Sequence, residues 1–204
     1  MEKQRILRHE TKNEFLTIRA KICDNQKSKE VVEYIDEILK EKITVNQEEY
    51  AKFGYLPPNG IKGLCYFKVQ EAEEMGINVS LNISKRIKQS TIYELNTKQQ
   101  RDFGRILGVL LDNAIEASNL SKEKQLGIET YNTLKNEFKI IISNTYSNKI
   151  DNSKIGIERF STKGKNRGHG LLLVKHIINK TQLFELNTKI ENNIYTQTVI
   201  IKKV

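Results

Sequence analysis

The run Ser161-Thr-Lys-Gly-Lys-Asn-Arg-Gly-His-Gly-Leu171, passing at once into Leu172-Leu-Val-Lys-His-Ile-Ile178, constrains this chain more than any other stretch. It sets Gly164, Gly168 and Gly170 among Lys163, Lys165 and Arg167, directly before an apolar segment of helical character. Glycine lets a backbone approach a ligand closely and adopts positive φ without steric cost. The first turn of the helix that follows offers unpaired N–H groups and the positive end of a dipole. A chain of phosphates is the natural guest of such a turn. Glycine-rich turns are common, so the reading rests on a second, independent motif upstream.

That motif is Ile106-Leu-Gly-Val-Leu-Leu-Asp-Asn-Ala-Ile-Glu-Ala-Ser118. Leu107, Leu110, Leu111 and Ala114 recur at helical spacing and are expected to face a core. Asp112, Asn113 and Glu116 lie three and four residues apart and form one polar rim. Short acid and amide side chains are poor helix formers, so an Asp-Asn pair inside so apolar a helix calls for a function. Oxygen ligation of Mg²⁺ supplies one, because that ion takes a few protein oxygens and completes its shell with water and substrate phosphates. Alone, the pair would be a solvated face; beside the glycine run, ligation is the better reading.

Leu-Leu-Asp-Asn-Ala-Ile-Glu-Ala resembles the N-box of the ATP-binding fold shared by gyrase, heat-shock chaperones, sensor histidine kinases and mismatch-repair ATPases. Ser-Thr-Lys-Gly followed by Arg-Gly-His-Gly-Leu resembles the C-terminal glycine box of that fold. The wording from Ile106 onward is similar to the peptide quorum-sensing histidine kinases of the accessory-gene-regulator type, and the likeness runs from Arg8 to the C-terminus. It implies an α+β protein: an N-terminal antiparallel helical hairpin, forming a four-helix bundle on dimerisation, then a two-layer α/β sandwich with a mixed, mainly antiparallel sheet. By the same resemblance Asn113 is the Mg²⁺ ligand that bridges metal and triphosphate, with Asp112 and Glu116 near the metal's waters or neighbouring polar groups. Gly164, Gly168, His169, Gly170 and Leu171 belong to the glycine box, and Arg167, then Lys163, are the expected phosphate contacts. Most histidine kinases carry Asp-x-Gly-x-Gly after the central strand, where the Asp accepts from the adenine amino group. Here Ile140-Ile-Ile142 leads to Ser143-Asn144-Thr145 without those glycines. Asn144 still offers a carbonyl acceptor, which implies ATP binding of modest affinity. ATP-hydrolysing relatives place a Glu four residues before the N-box Asn as base for water; here that position is Val109, which cannot activate water.

The N-terminal motif is Arg8-His9-Glu10-Thr11-Lys12-Asn13-Glu14-Phe15-Leu16. His9 and Asn13 are four apart and share a helix face, while Phe15 and Ile18 belong to an apolar stripe, so His9 is expected toward solvent. The motif resembles the phosphoacceptor box His-acid-x-x-Asn. That resemblance implies that His9 attacks the γ-phosphate, that Glu10 accepts its proton or orients the ring, and that Asn13 positions water for dephosphorylation of the partner. A neutral imidazole held in one tautomer is a competent nucleophile. His169, inside the glycine box, and His176, in the helix after it, are both read as structural or ligand-lining.

Along the chain, helical patterns cover residues 5–24 and 28–46, a hairpin whose exposed apolar stripes dimerisation would bury. Residues 1–48 are expected to form this dimerisation and phosphoacceptor domain, and 60–204 the ATP-binding domain. Pro57-Pro-Asn-Gly60 breaks helix between them. Residues 61–75 are helical, 77–83 alternate as a strand, and Thr97 is expected to cap the N-box helix. Strand pairs are expected over 127–133 with 137–143 and 183–190 with 194–201. The polar 145–166 segment reads as a nucleotide lid.

No stretch approaches the ~20 apolar residues of a membrane span, and no signal-peptide pattern is present. The expectation is therefore a cytoplasmic protein, on the cytoplasmic face of a membrane only through a sensor region absent from this chain. The formal charge of +9 is scattered without an aromatic-interleaved platform, which argues against nucleic-acid binding. Cys23 and Cys65 read as reduced thiols. The expected activity is a protein-histidine kinase with ATP and Mg²⁺, passing phosphate to a response-regulator receiver domain, as a homodimer. The alternatives are an ATP-independent histidine phosphotransferase and a pseudokinase-like partner-binding dimer.

Overall fold

The computed structural model describes residues 51–57, 60–147 and 169–203. The helical hairpin, with His9, Glu10 and Asn13, lies outside the described residues. So do most of the lid segment and Lys163, Gly164, Arg167 and Gly168.

Helix α1 (Gly60–Glu74) leads into strand β1 (Asn78–Ile83), and the long helix α2 (Thr97–Leu120) follows two short 3-10 turns. Strands β2 (Gln125–Asn132) and β3 (Phe138–Thr145), helix α3 (His169–Thr181), and strands β4 (Phe184–Glu191) and β5 (Ile194–Ile201) complete the described order. The five strands form one sheet in the order β1-β2-β3-β5-β4. β1 and β2 run parallel, with α2 as their crossover, and the other pairs are antiparallel. The expected mixed, mainly antiparallel sheet is present.

Strict alternation decides which way the sheet faces. In β1 the buried residues are Val79, Leu81 and Ile83; in β2, Leu126, Ile128 and Thr130; in β3, Phe138, Ile140, Ile142 and Asn144, with Thr145 also buried at the strand's end. This face carries the helices. The densest packing is an aromatic cluster in which Phe103 of α2 meets Phe138 edge-on and stacks on Phe184, with ring centroids 5.9 Å apart in both pairs. Phe138 and Phe184 both pair with Ile201, so β3, β5 and β4 present one apolar row to a single ring on α2. All of these residues are fully buried.

Local chemistry sets the boundaries. α2 is capped by Asn96 rather than Thr97: the Asn96 side chain accepts from Gln99 N–H, and Gln99 Oε1 accepts from Asn96 N–H, a reciprocal capping box. The β4–β5 hairpin turns through Asn192 and Asn193, both at positive φ, as a two-residue type I′ loop requires. Cys65 is buried in α1 and unpaired, and desolvation pushes its thiol up to about 12. The two 3-10 turns between β1 and α2, which hydrophobic periodicity does not anticipate, carry Ile87, Thr91 and Ile92 into the core.

Thr91 closes the end of the sheet. Its hydroxyl donates to the Ile201 carbonyl at 2.7 Å and accepts from Phe138 N–H at 2.9 Å. Thr91→Val keeps the shape but leaves two buried backbone groups short of a partner. It is expected to lower stability by about 1–3 kcal/mol in urea unfolding, with an unchanged denaturant slope.

Candidate functional site

Helix α2 meets a different neighbour on each of three faces. Phe103, Leu107, Leu110, Leu111, Ala114 and Ser118 face the core. Gly108 and Asp112, four residues apart, turn toward α1: a Cβ on Gly108 would lie 3.9 Å from Leu64, and Asp112 Oδ1 meets Lys68 Nζ at 2.6 Å. Leu64 and Lys68 are themselves one turn apart, so the two helices meet in two successive rungs. Val109 turns instead toward α3, and Asn113, four residues on, shares that side of the helix.

The approach of α3 to α2 is close. A Cβ on Gly170 would lie 2.9 Å from Val109 Cγ1, nearer than side-chain carbons ordinarily come. Only glycine lets the first turn of α3 sit this tightly against α2. The consequence is electrostatic as well as steric. The open amides and positive end of α3 are held against the turn of α2 that ends in Asn113. Val109 and Leu171 are partly buried against the core, so the seam between the helix ends is apolar up to the point where Asn113 begins. Asn113 is half-buried and its side chain makes no hydrogen bond to any described residue, which leaves an amide oxygen available for a ligand.

Asn144 occupies the last core-facing position of β3 and is buried, between Leu126 of β2 and Tyr195 of β5. Its Nδ2 donates to the Thr145 carbonyl at 2.9 Å. That contact fixes which way the amide is turned, since only the nitrogen can donate to a carbonyl. Oδ1 accepts no hydrogen bond among the described residues. Thr145 is anchored in turn: its hydroxyl lies 2.6 Å from that of Ser121 and accepts from Gln125 N–H at 3.0 Å. Ser121 also donates to the Ser118 carbonyl at 2.9 Å, tying the end of α2 to the end of β3.

The structure therefore brings Asn113, Gly170 and Leu171 to one seam and sets Asn144 under the same helical layer. Asp112 is exposed and engaged by Lys68, and Glu116 is half-buried one turn beyond it. His169 begins α3, and His176 is exposed on its outer side. Lys68 is the residue that sequence reasoning missed. Burial of its amine works against the charge, but hydrogen bonds to Asp112 and Glu71, with their nearby carboxylate charges, outweigh it and hold the ammonium above its ordinary range. The Lys68–Glu71 spacing is legible along a helix; the partner on α2 is not.

Among the described residues no group of three or more His, Cys, Asp or Glu side chains could hold a metal, and no helix is long and apolar enough to cross a membrane. The donor set at the seam is one neutral amide oxygen, which suits Mg²⁺ drawing the rest of its shell from water and phosphate. A groove of about 330 Å³ is lined by Ser80, Gly127, Glu129 and Ser143 together with Asn144 and Thr145.

This architecture is that of histidine kinase catalytic domains. The nucleotide-free catalytic domain of histidine kinase ThkA superposes with a TM-score of 0.51 at 17% identity, over 69% of this chain and 88% of that one. Full-length ShkA in complex with AMPPNP gives a TM-score of 0.51 at 17% identity, over 75% of this chain and 33% of ShkA. No curated protein matches the sequence. Residues 98–202 match the family model described as the GHKL domain, and the chain belongs to that family.

The close approach of the two helices yields a direct test. Gly170→Ala is expected to destabilise the protein by about 1–3 kcal/mol through overpacking. Adding Val109→Ala should recover much of that loss, so a double-mutant cycle by thermal or urea unfolding should show coupling between the two sites.

Proposed function

We propose that this chain is the kinase core of a two-component sensor histidine kinase of the peptide quorum-sensing, accessory-gene-regulator-like subfamily. In this reading ATP with Mg²⁺ binds at the seam of α2 and α3, His9 takes the γ-phosphate, and a response-regulator aspartate receives it. The hairpin of residues 1–48 forms the homodimer and carries the phosphoacceptor. The observation that carries the reading is the packing of Gly170 on Val109, one helical turn from Asn113. It puts a helix N-terminus and an uncommitted amide oxygen on the same side of one helix, complementary to a phosphate chain and its cation.

Each residue then has a physical task. Asn113 would supply the protein oxygen to Mg²⁺, and the ion would neutralise charge on the phosphates. Lys163 and Arg167 would add positive charge from the glycine box, with Gly164, Gly168 and Gly170 admitting the phosphates to the backbone. Glu10 would hold or accept the proton of His9 as the imidazole attacks, and Asn13 would place water for the reverse, dephosphorylating step. Val109 supports transfer over hydrolysis: an isopropyl group where a base would stand gives water no activation. Catalysis of this kind is mostly positioning and charge neutralisation.

Incubation of the purified chain with γ-labelled ATP and Mg²⁺ is expected to give an acid-labile, base-stable protein label. The label should be absent in His9→Gln and reduced at least about a hundredfold in Asn113→Ala, the loss expected when a charge-stabilising ligand is removed. An unlabelled wild type that still binds ATP would leave a pseudokinase-like partner-binding dimer as the better description, and one that binds no ATP an ATP-independent phosphotransferase.

Asn144 sets a second expectation. With Nδ2 held by the Thr145 carbonyl, Oδ1 presents an acceptor to the base. The exocyclic amino group of adenine can donate to it, whereas the 6-oxo group of guanine cannot. ATP is therefore expected to compete for the site about tenfold or more better than GTP, and Asn144→Ala should narrow that ratio. Equal displacement of a fluorescent nucleotide by ATP and GTP would remove Asn144 from base recognition.

A further inference from the structure

Asp112 and Asn113 are adjacent on α2, and this adjacency poses a problem for the nucleotide site proposed above. A carboxylate is a better oxygen ligand for a hard divalent cation than a neutral amide. It also repels a triphosphate from the same neighbourhood. Successive helical positions point only about 100° apart, a separation that a flexible carboxylate partly spans. Something must keep Asp112 out of the competition.

The structure supplies that device on a different element. Lys68 of α1 meets Asp112 Oδ1 at 2.6 Å and is itself steadied by Glu71, one turn further along α1, whose Oε2 lies 2.5 Å from the same ammonium. The Lys68 side chain is only 21% exposed, whereas that of Asp112 is 59% exposed, so it is the lysine that the fold holds in place. The rung below, Leu64 against Gly108, sets the distance between the helices at which this reach is possible.

We propose that Lys68 is a positioning residue for the metal–nucleotide site: by pairing with Asp112 it turns that carboxylate toward α1 and cancels its charge, leaving Asn113 as the residue of the pair that meets the cation. This inference rests on the nucleotide reading given above. Lys68 touches neither the metal nor the phosphates; it acts through Asp112. Asp112 is accordingly a site residue only by suppression.

The test is nucleotide binding by the full chain, with a fluorescent ATP analogue titrated in Mg²⁺ and again in EDTA. In Lys68→Met, Asp112 and Glu71 both lose their cationic partner, and Asp112 is the one of the two that adjoins Asn113. Affinity in EDTA should fall about three- to tenfold, as one unit charge near a polyanion at the protein surface implies. Affinity in Mg²⁺ should fall less, because the freed carboxylate can join the cation. The Mg²⁺/EDTA affinity ratio therefore rises in Lys68→Met. It should return to the wild-type value in Lys68→Met/Asp112→Asn and stay there in Lys68→Arg. Melting temperatures of the same variants without nucleotide separate this from simple packing. If Lys68→Met lowers the melting temperature while leaving the Mg²⁺/EDTA ratio at the wild-type value, the ion pair only joins two helices and the inference is overturned. If the ratio rises but the double variant does not restore it, the effect does not run through Asp112 and the inference is equally lost. A wild type that binds no nucleotide under either condition would refute the nucleotide reading itself, a result distinct from the other two.

Discussion

The structure depends on one helix serving three neighbours at once. α2 must bury a continuous apolar stripe against the sheet, come close to α1 on one flank and admit the first turn of α3 on the other. A single 24-residue helix achieves this because its small residues are distributed by face. Gly108 sits on the flank toward α1, and the tight contact with α3 is relieved from the other side, by Gly170 of α3 itself. The Phe103–Phe138–Phe184 cluster then pins the N-terminal half of α2 to three strands. The C-terminal half is tied to β2 and β3 through the Ser118, Ser121 and Thr145 hydroxyls. Between these anchors lie Val109, Asp112 and Asn113. Asp112 and Asn113 are thus carried between two anchored ends of the helix, the kind of support that the proposed site would need.

Two kinds of sequence signal made this organisation legible. Period-3.6 patterning in α2 and period-2 alternation in the strands are driven by burial against one core, and burial is what the sheet and helices share. Asn144 follows from the same alternation: counting in twos from Phe138 through Ile140 and Ile142 lands on it, so a polar residue on the apolar face could be read off directly. The Asn192-Asn193 turn is equally local, since two residues at positive φ suffice to close a hairpin. The capping residue was displaced by one position, because Asn and Thr are both competent caps and only the reciprocal bond with Gln99 distinguishes them.

What periodicity did not reveal depends on contacts between elements distant in the chain. Lys68 is such a case: along α1 it is a charged residue near Glu71, an ordinary surface pair. Its significance comes from Asp112, which only the packing of α1 on α2 brings within reach. The 3-10 turns carrying Ile87, Thr91 and Ile92 are another. They bury side chains too few and too irregularly spaced to register as a helix or strand, and Thr91 gains its role from strand ends more than forty residues away in sequence. The parallel pairing of β1 with β2 is likewise a consequence of α2 crossing over the sheet, not of the strand residues themselves.

The chemistry of the seam bears on how much free charge such a site can tolerate near bound phosphates. α2 offers a neutral amide in Asn113, an apolar group in Val109 and an acid, Asp112, that is already paired. Positive charge comes from the end of α3 and, by the sequence, from the glycine box. The Lys68–Asp112 pair joins a largely covered lysine to an exposed acid, and an ion pair with one exposed partner by itself stabilises little. The weak stabilisation is therefore no argument against the pair's importance. In the proposed reading its consequence is electrostatic: it would remove a competing ligand and a repulsive charge beside Asn113, with a contact made between α1 and α2.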